Sequence, residues 1–225
     1  MVDRPDKARL GPVDSAILGL ATSVTQHPWA LGRTDYDRAR AAGLGDDTIL
    51  QAVILSAYFN YLNRVADAVD IAFDYESALP TPDRDPLRDP VPRPSRERWP
   101  TAPAFALRLA DRPGTAEAFD RWRGYVLERE SPLSRRDRAV LVRAVASSLC
   151  DARTVDALGD AGPRSTHEEV LASYAEVLTA TPWRLSEEQL HGLRALGLDD
   201  RGLLDVISVA SFQNTASRLR LVLAE

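Results

Sequence analysis

Cysteine, lysine, glycine and long apolar runs are scarce in this 225-residue chain, and each scarcity excludes something. The single cysteine, Cys150, cannot close an intrachain disulfide or build an all-cysteine metal site, which fits a reducing compartment. The N-terminal MVDRPDKARL has no apolar h-region, and no uninterrupted apolar run approaches the about 20 residues of a membrane span, so a cytoplasmic protein without a membrane partner is expected. The three histidines, His27, His167 and His191, are scattered and show no HExxH or other ligand spacing. With only 12 glycines there is no phosphate-cradling loop and no nucleophile elbow. No metal and no cofactor is therefore expected. All basic side chains but Lys7 are arginine, acids lie between them, and the net charge is -5, so there is no basic face for nucleic acid.

What is abundant is apolar periodicity of the helical kind. Start and stop residues predict helices over 14–26, 34–42 and 46–71: Asp14, Thr34 and Gly45-Asp46 open them, and His27-Pro28 and Gly43 close the first two. No stretch alternates with period two for long enough to be a strand, so the fold class is all-α. The stretch 50–69, LQAVILSAYFNYLNRVADAV, is apolar on most of its circumference, which predicts a buried helix. Its polar residues Ser56, Asn60, Asn63, Arg64 and Asp67 fall on one narrow stripe.

Eight of the fifteen prolines lie between Pro80 and Pro103, where polyproline conformation favours an extended linker. The expected organisation is a helical half-unit over 1–78, a proline-rich linker over 79–103, and a complete helical unit over 104–225. Further helices are predicted over 104–111, 114–128, 134–150, 168–180, 186–196 and 199–223. Ser134 and Asp137 stand in capping-box register, and Phe119, Trp122 and Tyr125 share one side as core or interface.

The last portion repeats the first. Pro28-Trp29 recurs as Pro182-Trp183, Gly43-Leu44 as Gly197-Leu198, and Asp46, Leu50, Asn60 and Arg64 as Asp200, Leu204, Asn214 and Arg218, every pair 154 residues apart. Two copies of one unit imply a pseudo-twofold arrangement. The recurring Asn60/Arg64 and Asn214/Arg218 pairs admit two readings. Either they tie a central helix to loop carbonyls or a carboxylate, or the fuller first stripe lines a pocket in which Arg64 holds a carboxylate or oxyanion. Cys150 likewise reads as a small buried thiol at a helix end or, with Arg153 nearby, as a reactive thiolate.

The stretch AAGLGDDTILQAVILSAYFNYLNRVADAVD resembles the carboxymuconolactone decarboxylase and alkylhydroperoxidase D-like superfamily, in particular its peroxidase-related branch. Gly43, Leu44, Asp46, Ile49, Val53, Phe59, Asn60, Asn63, Arg64, Ala66 and Asp67 carry the match. Residues 99–225 resemble a complete unit and residues 12–76 the closing half of another. The resemblance implies an all-helical fold that assembles as a homo-oligomer. In the redox members it implies hydroperoxide reduction by a C-x-x-C pair, a following His and an upstream Glu.

This chain departs from that relay. With Cys150 as the first cysteine, the second falls on Arg153, the His on Ala157 and the Glu on Arg138; with Cys150 as the second, the first falls on Ser147. The leading expectation is a diverged member without dithiol peroxidase chemistry that binds or transforms a small organic molecule, with Tyr58, Asn60, Asn63, Arg64, Asp67, Asn214 and Arg218 as binding residues. The alternatives are a single-cysteine hydroperoxide reductase with Cys150 as the catalytic residue, and a non-catalytic assembly protein.

Overall fold

Pro12 opens the first helix at the one turn where its missing N–H is not needed, and α1 (Pro12–Gln26) runs to a 3-10 turn at Pro28–Ala30. Then follow α2 (Arg33–Ala41) and the long α3 (Asp46–Ala68). The computed structural model describes residues 10–71, 92–98 and 114–223. After the intervening segment come α4 (Thr115–Leu127), α5 (Arg135–Ser148), α6 (Ala152–Leu158), α7 (Thr166–Ala180), α8 (Glu187–Ala195) and α9 (Asp200–Val222). The described residues contain no strand, so the chain is all-α. No helix among them is long and apolar enough to cross a membrane.

Local chemistry fixes most of the helix starts. Ser134 accepts from the Asp137 N–H at 3.1 Å while the Asp137 carboxylate accepts from the Ser134 N–H at 3.3 Å, the reciprocal cap of α5. Asp151 caps α6, a short helix that periodicity alone does not predict. The α2–α3 and α8–α9 turns each place a glycine at positive φ, Gly43 at 102° and Gly197 at 83°. An L side chain is strained there.

Two groups of elements have matching lengths and spacing. α1, the turn at Pro28–Ala30, α2 and α3 have bounds that each recur 154 residues later, in α7, the turn at Pro182–Arg184, α8 and α9. α3 and α9 share the most extensive helix–helix contact. Two apolar clusters follow. One gathers α4, α5, α7 and most of α9; the other gathers α1, α2 and α3 and is closed by Leu219, Val222 and Leu223 from the far end of α9. The Tyr36 hydroxyl donates to the Val222 carbonyl across the same boundary.

The central element is α9, buried on nearly every side, and not α3. This corrects the expectation that residues 50–69 form a fully enclosed helix. The inner face of α3 is buried at Val53, Ala57, Asn60 and Arg64, but Leu55 is 55% exposed, Tyr58 45%, Phe59 55% and Leu62 37%. The residues 154 positions on, Val209, Phe212, Gln213 and Ala216, are all buried. The difference is physical: α9 lies under α4 and α5, with Phe212 at 5.3 Å from Phe119 and 4.7 Å from Trp122 between ring centroids, and no described helix covers the outer face of α3.

Of the proline-rich linker only residues 92–98 are described; the helix predicted over 104–111 lies outside the described residues. Arg93 stacks over Trp29 at 5.3 Å, and Arg96 pairs with Asp156. This part of the chain therefore touches both halves.

Candidate functional site

Asn60 and Arg64 sit one turn apart on the inner face of α3, and both are buried. The Asn60 Nδ2 donates to Thr25 Oγ1 at 2.9 Å and to the Ser56 carbonyl at 2.8 Å, while its Oδ1 accepts from Arg64 Nη1 at 2.7 Å. Arg64 Nη2 then donates to the Thr179 carbonyl at 2.8 Å. The second pair repeats the pattern with the halves exchanged. Asn214 donates to Thr179 Oγ1 at 3.0 Å, Arg218 Nη1 donates to Asn214 Oδ1 at 2.6 Å, and Arg218 Nη2 donates to the Thr25 carbonyl at 3.1 Å.

Thr25 and Thr179 lie in the last turns of α1 and α7. Their carbonyls are among those a helix leaves unmatched, at its negative end, so each guanidinium caps a helix of the opposite half. Neither arginine has a carboxylate within 4 Å among the described residues, and the Nε of each is without a hydrogen-bond partner. Burial pulls Arg64 down to about 10, opposed by Asp67, and lowers Arg218 as well, with the Arg64 charge acting in the same direction. These four side chains tie the halves together. The other predicted binding residues of α3 point elsewhere: Tyr58, Asn63 and Asp67 are exposed, and Tyr58 stacks on Tyr61 at 6.4 Å. Partial burial raises the Asp67 carboxyl, with Arg64 opposing.

Cys150 is 1% exposed and follows α5 at φ 60°, a helix-terminating position where glycine is usual. The turn is closed by the Cys150 N–H on the Ser147 carbonyl at 3.2 Å and the Asp151 N–H on the Ala146 carbonyl at 2.9 Å. Burial pushes the thiol up, and Arg93 only opposes this. A thiol so placed is a poor source of thiolate at neutral pH.

A half-open cleft of about 340 Å³ lies between α4, α5, α6 and α9. Its apolar wall is Phe119, Leu127, Val142, Phe212 and Ala216, and its cationic rim is Arg123, Arg153 and Arg220, with Asp120 among them. Arg123 is partly matched, by Asp120 at 3.5 Å and Glu128 at 3.1 Å. Arg220 leans on the buried Asp151 carboxylate at 3.2 Å and on the Thr154 hydroxyl. Burial lowers the Arg220 guanidinium; Asp151 raises it and Arg153 lowers it further.

Asp151 also accepts from Ser217 Oγ and Thr154 Oγ1, each at 2.7 Å, and from the Thr154 N–H at 3.2 Å. A carboxylate with that many donors anchors its surroundings. Gln213, which lines the cleft, donates to Ser217 at 2.8 Å and extends this network to the cavity wall. None of the eight sequence-predicted site residues lines the cleft.

Two features of this region escape sequence reading in different ways. Asp151 with Thr154 is an N-cap signal hidden directly behind the Cys150 turn. Asp205 is the lone acid in an apolar stretch of α9, and it is matched by Arg129 at 2.9 Å and by the fully buried Arg138, which also donates to the Arg129 and Val126 carbonyls at 2.7 and 2.6 Å. Arg138 is the position at which the resemblance would place the relay's Glu. Among the described residues no group of His, Cys, Asp and Glu is arranged to hold a metal ion. Compared with protein-family models, curated proteins and solved structures, the chain matches none.

Proposed function

We propose that this chain is a diverged alkylhydroperoxidase D-like protein, built from a complete helical unit and a second half-unit, that binds or transforms a small organic molecule without dithiol chemistry. The binding place is the cleft between α4, α5, α6 and α9, and the molecule it suits has an apolar body and an anionic end. One observation carries the reading: Arg153 and Ala157, which stand where the resemblance would put the second cysteine and the histidine, both line this cleft. The position of a relay is kept while its thiol and imidazole are replaced by a guanidinium and a methyl group. An aromatic wall beside three arginines supports recognition of a carboxylate on a flat or aliphatic body. The element bounds displaced by 154 residues and the exchanged Arg64 and Arg218 caps support the duplicated architecture.

The single-cysteine reductase has less support, because Cys150 is enclosed and its thiol is pushed up. Titration with 2-naphthoate, an aromatic carboxylate of suitable size, tests the proposal. Saturable binding is expected, lost in Ala157→Trp, which fills the cleft, and weakened in Arg123→Ala. At a ligand concentration of 100 times Kd, the folded state is stabilised by about 2.7 kcal/mol. Absence of binding, or binding indifferent to Ala157→Trp, would sink the proposal. Cumene hydroperoxide consumption is expected to be the same for the parent protein and Cys150→Ser.

A further inference from the structure

Gln213 places an amide in an apolar part of the cleft wall, beside Phe212 and Ala216 on α9, and it is 3% exposed. An amide buried in such a wall costs free energy unless both of its ends are matched. Its Nε2 is matched, donating to Ser217 Oγ at 2.8 Å. Its Oε1 has no partner among the described residues and is not one of the fully enclosed unsatisfied atoms, so it reaches open space, and the space that Gln213 lines is the cleft.

The orientation of that amide is set from behind. Asp151, buried and paired with Arg220 Nη1 at 3.2 Å, is a carboxylate and can only accept. Ser217 Oγ lies 2.7 Å from it and gives its one proton to Asp151, so the Ser217 oxygen is left to accept from the residue on its other side. Gln213 must therefore turn its NH2 inward and its carbonyl to the cleft. An amide free to flip would offer a ligand either a donor or an acceptor. This one offers an acceptor.

We propose that Gln213 selects cleft ligands that carry a hydroxyl, so that the occupant is a hydroxylated aromatic acid, with Ser217 and Asp151 as positioning residues that fix the sense of the amide. The selection rests on the cleft being a carboxylate site. Arg123, Arg153 and Arg220 are donors only and suit the acid, while Gln213 adds an acceptor from the apolar wall for the hydroxyl proton. An ether or carbonyl in the same place would set two acceptors against each other with no proton between them. An ammonium donor is disfavoured, because three guanidiniums and a single carboxylate, Asp120, stand around the cleft. The donor that fits is neutral.

Calorimetric titration of the full chain with the ring-hydroxylated isomers of 2-naphthoate, each beside its methoxy counterpart, tests the selection. At least one hydroxy isomer is expected to bind about fivefold more tightly than its methoxy counterpart, the gain that one neutral hydrogen bond supplies. The preference is expected to disappear in Gln213→Met, which has no amide, and in Ser217→Ala, which releases the amide to turn either end to the cleft. A loss of stability alone would weaken both ligands of a pair and leave their ratio in place. Equal binding within every pair, alongside saturable binding of 2-naphthoate, overturns the selection and leaves the carboxylate site standing; no binding of any naphthoate overturns both. A preference that survives Gln213→Met also overturns the selection, and one that survives Ser217→Ala overturns the positioning role. If Gln213→Met fails to fold, the parent protein and Ser217→Ala decide.

Discussion

Arg64 Nη2 donates to the carbonyl of Thr179, 115 residues away, at 2.8 Å, and this contact closes the end of a helix that belongs to the other half of the chain. Arg218 returns the contact to Thr25 at 3.1 Å. Each arginine thus does for the opposite half what a C-terminal cap does for its own helix.

Removing either cap leaves acceptors without donors, buried ones at Asn60, Thr179 and Asn214 and a partly buried one at Thr25. Arg64→Ala exposes the deficit at Asn60 Oδ1 and the Thr179 carbonyl, and Arg218→Ala does so at Asn214 and Thr25. The expected loss is about 2–4 kcal/mol for each variant, since every orphaned buried group costs about 1–3 kcal/mol and removing a charge that was costly to bury returns part of it. Urea denaturation reads the loss. Naphthoate binding measured below the unfolding transition is expected to be unchanged.

Asp205→Asn is expected to be more damaging. It strips Arg138, whose side chain is 2% exposed, of its buried countercharge, and breaking such a pair costs about 3–5 kcal/mol. The same geometry forbids a simple return of the relay's carboxylate: Arg138→Glu would set two buried acids against each other and is expected to accumulate as unfolded protein, visible in its circular dichroism.

Acid sensitivity has an identifiable source in Glu168. The Arg136 side chain and the Arg164 N–H hold this carboxylate down at about 2, below its ordinary value of 4.5. Because the folded value is the lower one, the contribution is complete above pH 4.5 and disappears as pH falls from there towards 2. Glu168→Gln is expected to flatten this part of the melting-temperature profile and to leave the profile near neutrality parallel to that of the parent protein.

Cys150 gives a clean report on opening. Enclosed and thiol-protonated at neutral pH, it is expected to react with iodoacetamide at least about 100-fold more slowly in buffer than in 8 M urea, because only opened molecules present the thiol. Fast alkylation of the folded protein would restore the reactive-thiolate reading.

Much of the helical frame is legible from the residues themselves, because caps and turns are local. Gly43 and Gly197 announce the sharp corners, and Ser134 with Asp137 announces α5. The 154-residue offset is visible wherever unusual residues such as Trp29 and Asn60 recur. What periodicity cannot reveal is which apolar face meets another element. The runs that become α3 and α9 read alike, yet Phe212 lies under Trp122 while Tyr58 faces outward. The polar stripe misleads for a related reason: an Asn and an Arg one turn apart look the same whether they await a ligand or a helix end. The cleft is invisible in sequence because Arg123, Arg153 and Arg220 come from three separate helices and converge only after packing.

The enclosure of Leu219, Val222 and Leu223 within the apolar cluster of α1, α2 and α3 ties folding to synthesis. A nascent chain emerging from the ribosome can form those early helices, but it cannot finish the interior they surround until residue 223 has cleared the exit tunnel. The segment that forms α1, α2 and α3 therefore waits with an incomplete interior until α9 has been synthesised, a window in which a chaperone that grips exposed leucine and valine side chains has work to do.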